Sequence, residues 1–381
     1  MMKQSTIPLG RILGIPIGLD FSWFLIFALI TWSMATSYYP TAFHGWSPPL
    51  YWLTGAATAI LLFVSVLLHE LGHSVVALRY KIPVNRITLF IFGGVAEIAG
   101  EPPSAWSEFW IAIAGPIVSL LLALLFQLLQ PLAPTLSPLL ALAQYLAYIN
   151  FSLVLFNLIP GFPLDGGRVL RAIVWGATGN LHRATGIAGT IGRVIAYIFI
   201  FVGIWQIVTG NFINGIWIAF IGWFLESAAS AEVQRQSLHE QLAGHTVAQA
   251  MTHEYAIVPA QTNLQQLVET DVLGQGKRCF MVGQAENPVG LLTLHQIREV
   301  PTAQRAQTRA EEIMLPLAKV RTVAPNTDLW EALKEMEQDG INQLPVIANG
   351  RLVGMLSRDG IISFLRTLRL FHRPGALPGS V

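Results

Sequence analysis

Apolar side chains run in long blocks along this chain instead of the short patches of a water-soluble protein. No side chain is charged from Phe21 to Leu68, and none lies between Glu108 and Asp165. A membrane-crossing helix needs about 20 mostly apolar residues. Six segments meet that length: 17–36, 50–79, 106–129, 138–160, 192–209 and 212–229. Thr209-Gly210-Asn211 separates the last two and predicts a tight antiparallel helical hairpin. The first apolar run has no small-residue cleavage site before it, so it is expected as a retained helix and not a signal peptide.

Lys and Arg orient the spans. Lys3 and Arg11 precede the first, and Arg79, Lys81 and Arg86 follow the second. Arg168, Arg171, Arg183 and Arg193 lie between the fourth and fifth, whereas 37–49, 130–137 and 209–212 contain neither residue type. Both termini are therefore expected on the cytoplasmic side of a cell membrane. A plastid or other internal membrane would produce the same pattern. Segment 82–100 is too short and turn-rich for a further span. Ile87 to Phe92 is β-prone, Gly93-Gly94 marks a turn or close backbone approach, and Val95 to Ile98 suits a returning strand. Such a hairpin either lines a cavity and pairs with an extended peptide or rests on the bilayer surface.

Charge divides the chain. Residues 1–230 hold 9 Lys/Arg and 7 Asp/Glu, while 231–381 hold 14 and 15 in a shorter stretch. The predicted fold is a polytopic α-helical membrane domain (1–230), a polar linker (231–244) and a water-soluble α+β part in two halves, 245–304 and 305–370, before a tail at 371–381. The net charge of +1 gives no case for nucleic-acid binding. Cys279 is the only cysteine, which rules out an intramolecular disulfide.

His69-Glu70-Leu71-Gly72-His73 ends the second span's uncharged run. Histidines four apart share a helix face and can bind one metal ion, with Glu70 beside them as a base. An unpaired carboxylate in hydrocarbon is costly, which favours a functional reading. A catalytic zinc takes three protein ligands. The stretch from Asn157 through Pro160 and Pro163 to Asp165-Gly166-Gly167-Arg168 offers Asp165 at the end of the fourth span. From the residues alone, Asp165 could instead cap a helix beginning at Gly166, and Asn157 could satisfy backbone groups freed beside Pro160. His44, His182 and His239 do not form a ligand pair by spacing and read as loop or interfacial residues.

Together these motifs and the Gly93-Gly94 loop resemble the site-2 protease family of intramembrane zinc metalloproteases, across residues 1–230. The resemblance implies one zinc held by His69, His73 and Asp165, with Glu70 as general base. It also implies that Asn157 donates a hydrogen bond to the substrate carbonyl, and that the substrates are transmembrane segments of other proteins. Gly115, in Ala114-Gly115-Pro116, resembles a family packing or kink element and is given no chemistry. A competing reading is a transport or ion-binding protein; another is a catalytically silent regulatory homologue. Glu70 separates the first from a protease, since transport has no need of a base beside the first histidine.

The soluble part repeats itself, with Met251 of the first half matching Met314 of the second. Each half reads as a Met-ended turn, an amphipathic helix and a Gly-containing strand. The pattern resembles a tandem cystathionine-β-synthase-type (CBS) pair, most specifically at 341–347. Such pairs bind adenine nucleotides or serve docking and homodimerisation. The family's ribose-binding Thr or Ser is commonly followed three positions later by Asp. Here Gln296 follows Thr293 and Gly360 follows Ser357, which predicts weak or absent ATP binding.

Overall fold

The computed structural model describes residues 6–135, 137–284 and 288–371. Lys3, and the expected tail from residue 372 onward, lie outside them. The chain forms two compact units, Met1–Ser237 and Leu238–Val381.

In the first unit, five helices among the described residues are long and apolar enough to cross a membrane. They include α2 (Pro48–Arg79), α3 (Ala105–Leu129) and α4 (Pro138–Asn157). After a shorter α5 (Asp165–Thr178) come α6 (Leu181–Val208) and α7 (Phe212–Leu242). Their ends follow local chemistry. Pro48 and Pro49 open α2, where a missing N–H costs nothing. Ser104 and Ser107 form a capping box on α3. Gly179 ends α5 in the left-handed conformation, which a side chain resists.

The first expected span differs. Residues 15–19 form strand β2, and α1 (Ser22–Ser33) passes into a π-helical turn, Met34–Tyr38, and a last turn, Tyr39–Ala42. Short apolar runs suit strand and helix equally, and this one divides between them. At the other end, the segment expected as a polar linker is helical through Leu242.

A four-stranded sheet of order β1-β2-β3-β4 adjoins the helices, with β1 at Ile7–Ile12, β3 at Val84–Phe90 and β4 at Gly93–Ile98. Leu13 and Gly14 join β1 to β2, and both have positive φ, as tight two-residue hairpin turns require. Strand β2 runs parallel to β3, pairing Ile17 with Ile87 and Leu19 with Leu89. The expected hairpin forms from β3 and β4, but it turns at Ile91-Phe92. Gly93 and Gly94 belong to the returning strand, Phe90 opposite Gly93. Ile15, Ile17 and Ile87 pack on Leu71 of α2, which anchors the sheet directly beside the histidine motif.

In the second unit the two halves exchange their leading segments. Thr252, at the start of the first half, pairs with Met355 of strand Arg351–Ser357 in the second. Leu315, at the start of the second, pairs with Leu291 of strand Pro288–Thr293 in the first. Between them Met281, Leu291, Leu352 and Met355 form a shared core. Each half thus completes its sheet with residues of the other.

Candidate active site

Residues far apart in sequence converge on a buried face of the C-terminal third of α2. His69 and His73 are 5% and 4% exposed, and their Nε2 atoms lie 3.2 Å apart. Asp165, the first residue of α5, brings Oδ2 to 3.1 Å from His69 Nε2 and 3.3 Å from His73 Nε2. Tetrahedral zinc with bonds of about 2.0–2.1 Å holds its ligand atoms about 3.3 Å apart. The three edges have that size, so the donors fit the ion in spacing as well as in chemical type. Among the described residues these three form the one such group.

The ring orientations are set by α3. His73 Nδ1 lies 2.6 Å from the Ile111 carbonyl oxygen. That oxygen can only accept, so Nδ1 carries a proton, and in the neutral ring Nε2 keeps its lone pair for a metal. His69 Nδ1 lies 2.9 Å from Ser119 Oγ. Partners of this kind orient metal-binding imidazoles and raise their basicity. Gly115 faces both rings between them: a Cβ there would stand 2.6 Å from His69 Nε2 and closer still to His73 Nε2. Its role is therefore to leave room in front of the two nitrogens, beyond the packing or kink element expected of it. Gly166 and Gly167 allow the start of α5 to press against the backbone of Leu158, Ile159, Gly161 and Phe162, which directs Asp165 inward.

A cavity of about 560 Å³ opens onto this group, lined by His69, Glu70, His73, Asn157 and Asp165 among apolar side chains of β4 and α7. Glu70 stands outside the donor triangle. Its Cγ lies so close to β4 that a Cβ at Gly94 would come within 2.6 Å, and the Ala96 backbone amide is directed at its carboxyl. Asn157 closes α4 at the cavity wall. Phe92, at the hairpin turn, stacks on Phe224 of α7 at 4.7 Å. Among the described residues no strand pairs with the outer edge of β4.

The sequence alone did not point to Ile111 or Ser119. A serine in an otherwise apolar helix was a usable signal for the last. A backbone carbonyl has none, since every residue carries one. In the second unit, Thr293 and Gln296 form a capping box, with the Thr293 amide donating to Gln296 Oε1 at 2.7 Å. The glutamine that replaces the nucleotide-family aspartate is thus engaged in ending a strand and starting a helix.

A buried two-histidine, one-carboxylate set with a glutamate beside it in a membrane-type helical unit is the equipment of a zinc metalloprotease. The family model described as Peptidase family M50 matches residues 57–135 and 132–202, and that of the CBS domain matches 310–367. Rip3 of Mycobacterium tuberculosis is 37% identical over 372 residues, 96% of this chain and 94% of that protein. Protein sll0528 of Synechocystis is 36% identical over 367 residues, 96% of each. Both carry zinc metalloprotease in their names. A solved structure titled site-2 protease from Methanocaldococcus jannaschii is 33% identical, covering 60% of this chain and 95% of that one with a TM-score of 0.43. The chain belongs to peptidase family M50, the site-2 protease family, and carries a C-terminal CBS domain. It is a metalloprotease whose cofactor is zinc.

Proposed function

We propose that this chain hydrolyses peptide bonds in or near transmembrane segments of other membrane proteins, at one zinc held by His69, His73 and Asp165. The observation that carries the reading is the buried donor triangle, with edges of 3.1–3.3 Å, beside Glu70 in a cavity that meets an unpaired strand edge. When bound, zinc polarises water and carbonyl groups, making a nucleophile available near neutral pH. Glu70 takes a proton from the attacking water and passes it to the leaving amide nitrogen. Asn157 donates a side-chain N–H to the scissile carbonyl oxygen as negative charge builds there. A substrate helix must unwind to expose that carbonyl. The outer edge of β4 offers the unwound segment backbone partners in place of its lost helical ones. The apolar lining from β4 and α7 suits the side chains of a membrane segment.

The direct test is cleavage of a model transmembrane substrate by the full chain in proteoliposomes. Cleavage should stop on stripping with a chelator and return with Zn²⁺. Equal rates from the stripped and loaded protein would refute the proposal.

We further propose six crossings, the first being the helical path over residues 22–42. A helix of about 20 residues rises roughly 30 Å, which is about the thickness of a bilayer's hydrocarbon core. Both termini then face the cytoplasm, with residues 43–49, the part of the expected 37–49 loop beyond that helix, and 130–137 on the far side. A cysteine at position 44, in a Cys279→Ser background, should react only with reagent added from the far side. Reaction from the cytoplasmic side would reverse the orientation. The native thiol is a weak competitor in any case, since burial pushes Cys279 up to about 12 and little thiolate forms at neutral pH.

A further inference from the structure

A second pair of charged side chains is buried in the first unit, apart from the donor triangle. Glu108, on the first turn of α3, is fully buried, and Arg171 of α5 is 5% exposed. Arg171 Nε donates to Glu108 Oε1 at 2.5 Å, and a terminal guanidinium nitrogen reaches the same oxygen. The guanidinium carbon also lies 5.3 Å from the centroid of the Phe162 ring, in the loop that delivers Asp165. Glu108 Oε2 has no hydrogen-bond partner among the described residues.

Such a pair is poorly suited to stabilising a fold. Removing two charges from water is expensive, and apolar side chains of similar volume often serve as well or better. A carboxylate with one oxygen unsatisfied worsens the balance. Its placement suggests another use. Glu108, Ile111, Gly115 and Ser119 are three or four residues apart on α3 and so share one stripe of it. That stripe holds His73 through the Ile111 carbonyl and His69 through Ser119, and Gly115 leaves space before both rings. Through Glu108 it also grips the helix that begins with Asp165. Helices α2, α3 and α5 are therefore tied pairwise into a closed loop around the donors.

We propose that Glu108 and Arg171 are positioning residues, which hold Asp165 in register with His69 and His73 and so set metal affinity instead of fold stability. The inference rests on those three side chains being the zinc ligands. Losing outer partners of metal ligands typically costs about 10–100-fold in affinity.

The test uses full-length protein in detergent, stripped and then titrated with Zn²⁺ against a chromophoric chelator and, separately, with Co²⁺ while d–d absorption is recorded. Glu108→Gln leaves Arg171 buried without its counter-charge and is expected to fold poorly. The decisive variant is therefore the double change Glu108→Met with Arg171→Met, which removes both charges and keeps the volume. Its metal-free form should melt at or above the wild-type temperature. Its zinc dissociation constant should rise about 10–100-fold, and its cobalt bands should shift. Wild-type affinity and an unchanged cobalt spectrum in the double variant would overturn the proposal. A double variant that fails to fold would do so too, by assigning the pair to structure. A wild-type chain that binds no zinc would instead refute the ligand assignment, and the positioning role with it.

Discussion

Glu70→Gln should keep a full complement of zinc and lose turnover by a factor of about 10²–10⁴, the usual worth of a positioned general base. That loss corresponds to about 2.7–5.5 kcal/mol of barrier. The two halves of the result come from separate features. Glu70 is not a corner of the triangle formed by His69, His73 and Asp165, so removing its charge subtracts no ligand. Glutamine also has nearly the same shape, so the close contact with Gly94 and the approach of the Ala96 amide survive. What disappears is the capacity to accept a proton beside the scissile bond. Metal content by elemental analysis and single-turnover cleavage of a transmembrane substrate check the two halves independently. Undiminished cleavage would remove Glu70 from the mechanism, and loss of zinc would make it a ligand.

Gly115→Ala, the smallest of changes, should abolish zinc binding and activity together at a modest cost in stability. The added methyl would stand in front of both Nε2 atoms, too close to either for any real contact. The rings cannot turn aside, because Ile111 and Ser119 hold their Nδ1 atoms from the same helix. Nor can α3 simply withdraw. It packs on α2 where Gly72 leaves so little room that a Cβ would lie 3.0 Å from the Ala114 carbonyl oxygen. Alanine is favoured over glycine within a helix by about 1 kcal/mol, which offsets much of the roughly 1–3 kcal/mol that overpacking costs. The melting temperature of the metal-free protein should therefore fall only modestly while metal affinity collapses. Stoichiometric zinc and wild-type cleavage in this variant would show that the space before the nitrogens is not needed.

The residues that announce this protein are those whose chemistry is rare in its surroundings. Charges at Glu70 and Asp165 stand out against long uncharged runs, and five long helices follow from apolar length alone. The N-terminal hairpin was hidden because Ile15-Pro16-Ile17-Gly18-Leu19 continues the apolar pattern of the helix after it. Its turn also uses Leu13-Gly14 instead of a recognisable Asn-Gly or Asp-Gly. Gly93-Gly94 signalled a turn or a close backbone approach, and the structure uses Gly94 for the second, against Glu70. The end of α7 was obscured for the opposite reason, since polar residues after 230 read as linker although nothing there breaks a helix. Contacts that tune the site, such as the Ile111 carbonyl, arise only once helices are packed and leave no mark on a single sequence.

The separation of the donors along the chain has a consequence for biosynthesis. His69 and Asp165 are 96 residues apart, and the helices that orient the imidazoles and deliver the carboxylate lie within or after that interval. At synthesis rates of about 5–20 residues per second, the histidine pair exists for about 5–20 s before its third donor is made. On the proposed ligand set, a nascent chain carries two of the three donors through membrane insertion while lacking the residue that completes the centre. On that ligand set, translation order would itself delay activity until α5 has been synthesised.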